Sequence, residues 1–224
     1  MIDWNKILED ASWFHWSGIS PALSLNVAQV CLEALKVAND KNITVSVDLN
    51  YRKKLWNYGR SPVEIIPELI EKCDIIFGDP FTAQTMLRID IEKNLTGEGS
   101  LPKLESYRVA VNELFPKVKT IAYTMRSTSS SSQGITVYLS INDQSFETKK
   151  LELNNAIGRI GSGDAFAAGL IYGLLNYKNE YHKILNFGVA ACCMKHSIPG
   201  DYNLTSVSEI GAILNHAEYL KLNR

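Results

Sequence analysis

Residues 158–175 read Gly158-Arg-Ile-Gly161-Ser162-Gly163-Asp164-Ala-Phe-Ala-Ala-Gly169-Leu-Ile-Tyr-Gly-Leu-Leu175. A strand and a glycine-rich turn lead here into a segment that is small or apolar on nearly every side, which predicts a buried helix. The first N–H groups of a helix have no partner within it, and glycines let an anion approach them without a Cβ in the way. The stretch therefore predicts an anion site where a strand and a glycine turn lead into a buried helix.

Asp164 stands at the start of this predicted helix, where the helix dipole favours a carboxylate. Such a group is suited to accept the proton of a substrate hydroxyl while the backbone of Gly161, Ser162 and Gly163 holds a transferring phosphoryl group. The alternative for an isolated Gly-x-Gly-Asp is that Asp164 only caps the helix. The sequence has no Gly-x-x-x-x-Gly-Lys-[Ser/Thr] loop, and its glycine turn comes too late for a dinucleotide fingerprint.

Upstream of this stretch, strands and helices alternate. The β-branched and aromatic segments predict strands, and an apolar stripe from Val27 to Ala38 predicts an amphipathic helix, as does the run that Pro62 opens towards Lys72. The strand segments are residues 13–17, 43–48, 74–78 and 119–124, and a third helix is expected over Ser106–Leu114. This order predicts a mostly parallel sheet with helices on both faces.

The pattern changes after residue 130. Residues 134–139 and 145–151 read as two strands around the polar turn Asn142-Asp143-Gln144, which predicts an antiparallel hairpin at the edge of the sheet. Helices are expected over residues 164–177, 181–196 and 206–220. Because no repeat or linker interrupts the chain, residues 1–224 are expected to form a single domain.

Composition limits the class of function. The 23 basic and 24 acidic residues give a net charge of -1, which provides no general attraction to nucleic acid or to an acidic membrane. The four cysteines form no C-x-x-C pair, so reduced buried thiols are favoured over disulfides or metal ligands. With no apolar run long enough to cross a bilayer and no leader pattern, the expectation is a cytoplasmic protein.

Gly158-Arg159-Ile160-Gly161-Ser162-Gly163-Asp164-Ala165-Phe166 resembles the signature of the PfkB (ribokinase-type) carbohydrate kinases, approximately D-[TR]-x-G-[AGS]-G-D-x-F. Within that family, four further segments are similar to 2-keto-3-deoxygluconate kinases: residues 13–24, Asp48-Leu-Asn-Tyr-Arg52 through Trp56, Thr124-Met-Arg126, and Lys195-His-Ser-Ile-Pro-Gly-Asp201. The resemblance implies a ribokinase-like fold and an ATP- and Mg²⁺-dependent kinase that phosphorylates a sugar acid.

The resemblance also implies roles for single residues. Asp164 is the expected general base, and the Gly161–Gly163 backbone the expected anion hole. Arg52 is expected to hold the sugar carboxylate and Asp201 to lie near the sugar. The expected nucleotide loop runs from Thr124 and Arg126 to Gly134, with Gly163 also contacting the nucleotide.

Each of these assignments has a simpler alternative. Without the resemblance, Arg52 would be interpreted as a solvated surface charge and Asp201 as a turn residue. For the hydroxyl-rich run from Ser127 to Ser132, a surface turn is as plausible an interpretation as a direct phosphate contact. The histidines (His15, His182, His196 and His216) are interpreted as structural, so no protein metal site is predicted.

The chain departs from the family pattern at three places. Gly158 replaces the first aspartate of the signature, and Asp79-Pro-Phe-Thr82 replaces the N-x-x-E motif associated with magnesium. Relative to the family, the N-terminal third with the lid is expected to be missing, which favours association into a homo-oligomer or with a separate N-terminal chain. The alternative function is a catalytically impaired kinase-like fragment that binds nucleotide or a partner chain.

Overall fold

A sheet forms the framework, and its first six strands are hydrogen bonded in chain order, with β7 paired to β5. Strands β1 to β4 are parallel neighbours, whereas β5 and β7 are antiparallel. The strands are β1 (Trp13–Ser17), β2 (Thr44–Asp48), β3 (Ile75–Phe77), β4 (Thr120–Thr128), β5 (Gln133–Ile141), β6 (Gln144–Glu147) and β7 (Leu151–Glu152). The predicted α/β class with a mostly parallel sheet is confirmed.

The computed structural model describes residues 2–90, 100–128, 133–152 and 157–215. The chain divides into two compact units, one of residues 1–123 with 140–145 and the other of residues 124–139 with 146–224. The prediction that residues 1–224 form one domain stays a prediction.

The first unit carries the parallel strands and most of the helices. Its helices are α1 (Trp4–Ile7), α2 (Ile19–Ala22), α3 (Leu25–Asp40), α4 (Pro62–Ile70), α5 (Pro80–Leu87) and α6 (Ser100–Leu114), with a short 3-10 turn at Lys53–Leu55. Helix α6 begins six residues before its predicted start, and α5 lies in a segment with no clear helical pattern. The central strand β2 is buried at Val45, Ser46 and Val47, as expected for a strand with neighbours on both sides.

The apolar face of α3 differs slightly from its prediction. Ser24 caps the helix, because its side chain accepts a hydrogen bond from the N–H of Val27 at 3.2 Å. Ala28 and Leu32 are buried in the first half of the helix, while Val27 and Cys31 are only half-buried. The buried stripe lies one residue later than predicted in this first half, whereas Ala34, Leu35 and Ala38 are buried as the spacing predicted.

The second unit carries most of β5, β7 and the last helices, α7 (Ser162–Asn176), α8 (Tyr181–Lys195) and α9 (Val207–Asn215), whereas residues 140–145 of the hairpin belong to the first unit. The predicted continuation of α9 to residue 220 lies outside the described residues. Helix α7 packs on α8 through small residues: a Cβ on Gly169 would lie 2.8 Å from the Ala191 Cβ and 3.0 Å from the Gly188 Cα. This close approach explains why the helix is rich in glycine and alanine.

The hairpin turn between β5 and β6 is Asn142-Asp143, with φ angles of 47° and 62°. Two consecutive positive φ values are typical of the two-residue turn that matches the twist of hairpin strands, and Asn and Asp tolerate them. The hairpin prediction is confirmed, with β6 ending at Glu147, before its predicted end.

Candidate active site

The start of α7 is shaped by Gly161. Its φ of 75° places it in the left-handed region, and it is the N-cap residue of the helix. A Cβ at this position would lie 1.9 Å from the backbone oxygen of Asp201. Glycine is required here for both its backbone conformation and its lack of a side chain, and the Asp201 backbone presses directly on the turn.

Asp164 is not the N-cap, so the capping alternative is wrong. Asp164 occupies the third helical position, where Glu64 in α4 and Glu209 in α9 each accept a hydrogen bond from the N-cap N–H, at 2.8 and 2.7 Å. Gly161 has no side chain to complete such a box, and the exposed Asp164 carboxylate makes no hydrogen bond or ion pair to any residue that the structure describes. Its oxygens are available to an outside donor.

The backbone N–H groups beside this carboxylate are also available. Neither the Gly163 nor the Asp164 N–H has an acceptor within the described residues, whereas the Ala165 N–H already bonds to the Gly161 oxygen at 2.9 Å. A Cβ on Gly163 would meet nothing within 4 Å. Two N–H donors, the positive end of a 15-residue helix and open space in front of them form an anion-binding geometry.

Ser162 ties this helix start to strand β4. Its side chain is buried, donates to the Arg159 oxygen at 2.9 Å and accepts a hydrogen bond from the Arg126 guanidinium at 2.7 Å. Arg126 therefore brings a positive charge to the start of α7. The Ser162 N–H is directed at the Arg159 oxygen at 3.4 Å, so among the first three residues of α7 the unpaired donors within the described residues are those of Gly163 and Asp164.

His196 lies under the turn. It is buried, its ring Nδ1 donates to the Cys192 oxygen at 2.8 Å, and its Nε2 has no partner within the described residues. Its backbone oxygen accepts from the N–H groups of Ile157 and Gly158 at 2.8 and 3.2 Å. Burial lowers the pKa of His196; the hydrogen bond to Cys192 opposes this, and the nearby charges of Arg126, Arg159 and Lys195 lower the pKa further. The imidazole is therefore neutral at neutral pH, and its environment is cationic.

Several predicted residues lie on elements other than those expected. Thr124 and Arg126 stand inside β4, which continues to Thr128, rather than at its end. Gly134 lies in β5, paired with Glu152 and packed against the Lys150 stem, rather than in a loop. Their contact with nucleotide stays a prediction, and residues 129–132 of the hydroxyl-rich run lie outside the described residues.

Arg52 belongs to the first unit. It is exposed and follows the carboxyl end of β2, the edge at which parallel sheets bind ligands. Among the residues that the structure describes, its guanidinium donates one hydrogen bond, to the Tyr51 oxygen at 3.0 Å, which leaves its other donors available to a ligand.

Asp79 has a structural task. One carboxylate oxygen accepts from the N–H groups of Phe81 and Thr82 at 2.9 and 3.1 Å, and the other accepts from the Thr82 hydroxyl at 2.7 Å, so Asp79 caps α5. Within the described ranges, no three His, Cys, Asp or Glu residues lie close enough together to hold a metal ion.

The other histidines that the structure describes, and the cysteines, make contacts typical of structural residues. His15 bonds to the Ser46 hydroxyl at 2.7 Å, His182 packs edge-on against Phe146, and His216 lies outside the described residues. The four cysteines carry free thiols, and burial raises the pKa of Cys73 and Cys192 to about 12. Among the helices that the structure describes, none has the length and apolarity needed to cross a bilayer.

Sequence reasoning missed Lys195 and assigned His196 only a general structural role. Both lie at the end of α8, where their contacts with residues 157–201 depend on how the chain folds back. A lysine that ends a largely apolar helical segment just before the Pro-Gly-Asp turn is the signal in the sequence that could have directed attention there.

Known proteins resemble this chain in sequence and in fold. It is 27% identical to a 2-dehydro-3-deoxygalactonokinase of Haloferax volcanii over 93% of this chain and 58% of that protein. It is 25% identical to a 2-dehydro-3-deoxygluconokinase of Bacillus subtilis over 85% of this chain and 52% of that protein. The chain thus spans little more than half the length of these relatives.

A crystal structure of 2-dehydro-3-deoxygluconokinase from Thermotoga maritima superimposes with a TM-score of 0.82 at 34% identity, covering 94% of this chain and 62% of that one. The ribokinase-like fold expected from the sequence is confirmed by this likeness. The family model described as pfkB family carbohydrate kinase matches residues 1–206. This match covers nearly the whole chain and includes the glycine turn whose geometry favours phosphoryl binding. The chain therefore belongs to the pfkB family of carbohydrate kinases.

Proposed function

We propose that this chain catalyses the ATP-dependent phosphorylation of a sugar-acid hydroxyl, with 2-keto-3-deoxygluconate as substrate and its 6-phosphate as product. The observation that carries the proposal is the start of α7, where the Asp164 carboxylate and the Gly163 and Asp164 N–H groups are all without partners among the described residues. Relatives named for 2-keto-3-deoxy sugar acids support this substrate class.

The geometry supports direct transfer to an alcohol. Asp164 accepts the proton of the substrate hydroxyl while the hydroxyl oxygen attacks the γ-phosphorus of ATP. The bond between the γ-phosphorus and the β-phosphate oxygen breaks, and ADP leaves. The N–H groups at the start of α7 and the Arg126 charge stabilise the negative charge on the transferring group. A neutral His196 beneath the turn adds no competing proton donor at neutral pH.

ATP is expected to lie across the second unit, with Thr124, Arg126 and Gly134 on its side and Gly163 at the phosphates. Mg²⁺ bound to the phosphates would neutralise charge and orient them. Mg²⁺ often takes most of its ligands from phosphate and water, which fits a chain whose described residues hold no acidic cluster.

The sugar acid is expected to be recognised by charge. The available donors of Arg52 suit a carboxylate, which a guanidinium grips through two hydrogen bonds. Asp201 is expected near the sugar hydroxyls, since its backbone already packs on Gly161. In this proposal, residues 1–224 act as one ribokinase-like domain with a small-molecule sugar acid and ATP as its ligands.

The test is ADP formation in the presence of ATP, Mg²⁺ and 2-keto-3-deoxygluconate. Asp164→Asn keeps the size of the side chain and removes the base, so turnover should fall by about 10³-fold. The matched control is Glu209→Gln, at the same helical position in α9 but committed to Ser206; it should lower stability and leave turnover unchanged.

An Asp164→Asn variant with unchanged turnover would remove Asp164 from the mechanism. If the wild-type chain binds ATP in calorimetry but never forms ADP, the chain is instead a nucleotide-binding relative without catalysis. The Gly158 and Thr82 departures motivate that second outcome.

A further inference from the structure

Lys195 is the last residue of α8 and its side chain is fully buried. Its Nζ donates to the backbone oxygens of Ile198 and Gly200, at 2.9 and 2.7 Å. No carboxylate pairs with it among the described residues. A charged group that is buried without an acid is expensive, so the hydrogen bonds that compensate it must be well formed.

The position of Lys195 reduces this cost. Backbone carbonyls at the end of a helix carry partial negative charge, and a cation there is favoured. The charge also needs the turn after the helix to direct its oxygens inward, and Gly200 permits this with a φ of 80°. The Lys195 side chain and the Ile198–Asp201 turn therefore hold each other in one conformation.

This turn contacts the candidate active site directly. The backbone oxygen of Asp201, one residue after Gly200, occupies the space that a Cβ on Gly161 would need. On the other side, the His196 oxygen holds the N–H groups of Ile157 and Gly158. The segment that leads into α7 is thus braced by residues 196–201, and Lys195 braces those residues in turn.

We propose that Lys195 is a positioning residue: its buried ammonium group fixes the Ile198–Asp201 turn, which fixes Gly161 and the N–H groups at the start of α7. The catalytic part of this inference rests on the proposed function. Lys195 acts through the turn and touches no reacting atom.

The experiment uses Lys195→Ala with chemical rescue. The substitution removes three carbons and the nitrogen, which n-propylammonium replaces. Turnover should fall about 100-fold, the size expected when catalytic groups are displaced by about 1 Å, and propylammonium should restore much of it. n-Propanol, which has the shape without the charge, and tetramethylammonium, which has the charge without N–H donors, should not.

A second measurement does not depend on activity. Hydrogen exchange of the Ile157 and Gly158 amides, which bond to the His196 oxygen, should speed up by about 10-fold or more in Lys195→Ala, because the two charge-assisted hydrogen bonds that hold residues 196–201 are lost. The matched control is Lys183→Met, on the same helix but exposed and paired with Glu180, which should leave this exchange and turnover unchanged.

The outcomes separate the two proposals. Unchanged exchange at the Ile157 and Gly158 amides, or an exchange increase no larger than that of the whole protein, refutes the positioning role whatever the activity. If exchange is faster in Lys195→Ala but the wild-type chain has no kinase activity, the bracing contact is supported and the proposed function is refuted. A drop in thermal midpoint with unchanged turnover below that midpoint shows that Lys195 contributes only stability.

Discussion

Replacing Gly161 by alanine tests the turn on which the candidate site is built. A non-glycine residue in the left-handed region costs about 1–2 kcal/mol. The new Cβ would lie 1.9 Å from the Asp201 oxygen, roughly 1.5 Å short of an ordinary van der Waals contact, so one backbone segment must move. Forcing atoms into packed structure costs about 1–3 kcal/mol. The free energy of unfolding should therefore fall by about 2–5 kcal/mol.

Urea denaturation measures the stability change, and ADP formation measures the consequence for catalysis. Turnover in the folded variant should fall about 100-fold, because the displacement is larger than 1 Å at the start of α7. Stability within about 0.5 kcal/mol of wild type would refute the contact between Gly161 and the Asp201 backbone.

Two other glycines serve as controls for this experiment. A Cβ on Gly163 or on Gly211 meets nothing within 4 Å. Alanine at either position should leave stability unchanged or raise it by up to about 1 kcal/mol, through helix propensity. Gly211→Ala, in α9, should keep full turnover, whereas Gly163→Ala should lose turnover, since its methyl group enters the space assigned to the phosphate. Equal turnover in the two variants would contradict an anion site at Gly163.

Two further substitutions test the electrostatics of the chain. Gly158→Asp restores the signature carboxylate, and its Cβ would lie 3.5 Å from the Ile198 oxygen, which is an ordinary contact. The positive charges of Arg126, Arg159 and Lys195 act on the neighbouring His196 and are expected to attract the new carboxylate. We expect a stability gain of up to about 1 kcal/mol and higher turnover; a loss of stability in thermal denaturation would show that the cations do not act at residue 158. In α4, the hydrogen bonds from the Ser61 N–H and hydroxyl, with Arg60, lower the pKa of Glu64 from 4.5 to about 2. A lowered pKa in the folded state stabilises the protein above pH 4.5, and this stabilisation is lost as the pH falls towards 2. The difference in thermal midpoint between wild type and Glu64→Gln should therefore be largest at neutral pH and vanish near pH 2. A difference that does not change with pH would argue against the capping box.

The secondary structure was largely readable from local pattern, because periodicity, caps and turn residues act over a few positions. Ser24 and Pro62 mark helix starts, and Asn142-Asp143 marks the hairpin turn. Helix α5 was missed because its start depends on Asp79, which was considered in the sequence only as part of a departure from the magnesium-associated motif and is the N-cap of the helix. Its role is set by which donors the fold brings to its carboxylate.

The sequence by itself determined the family, the α/β class and the glycine turn with Asp164 beside it, since the signature lies within nine consecutive residues and each strand or helix pattern is local. The tertiary structure alone decided what holds that turn in place. Arg126 reaches Ser162 across 36 positions, and the Asp201 backbone meets Gly161 across 40. Contacts between distant residues depend on how helices and strands pack, and no local propensity encodes the direction from which a buried lysine or a backbone oxygen will approach.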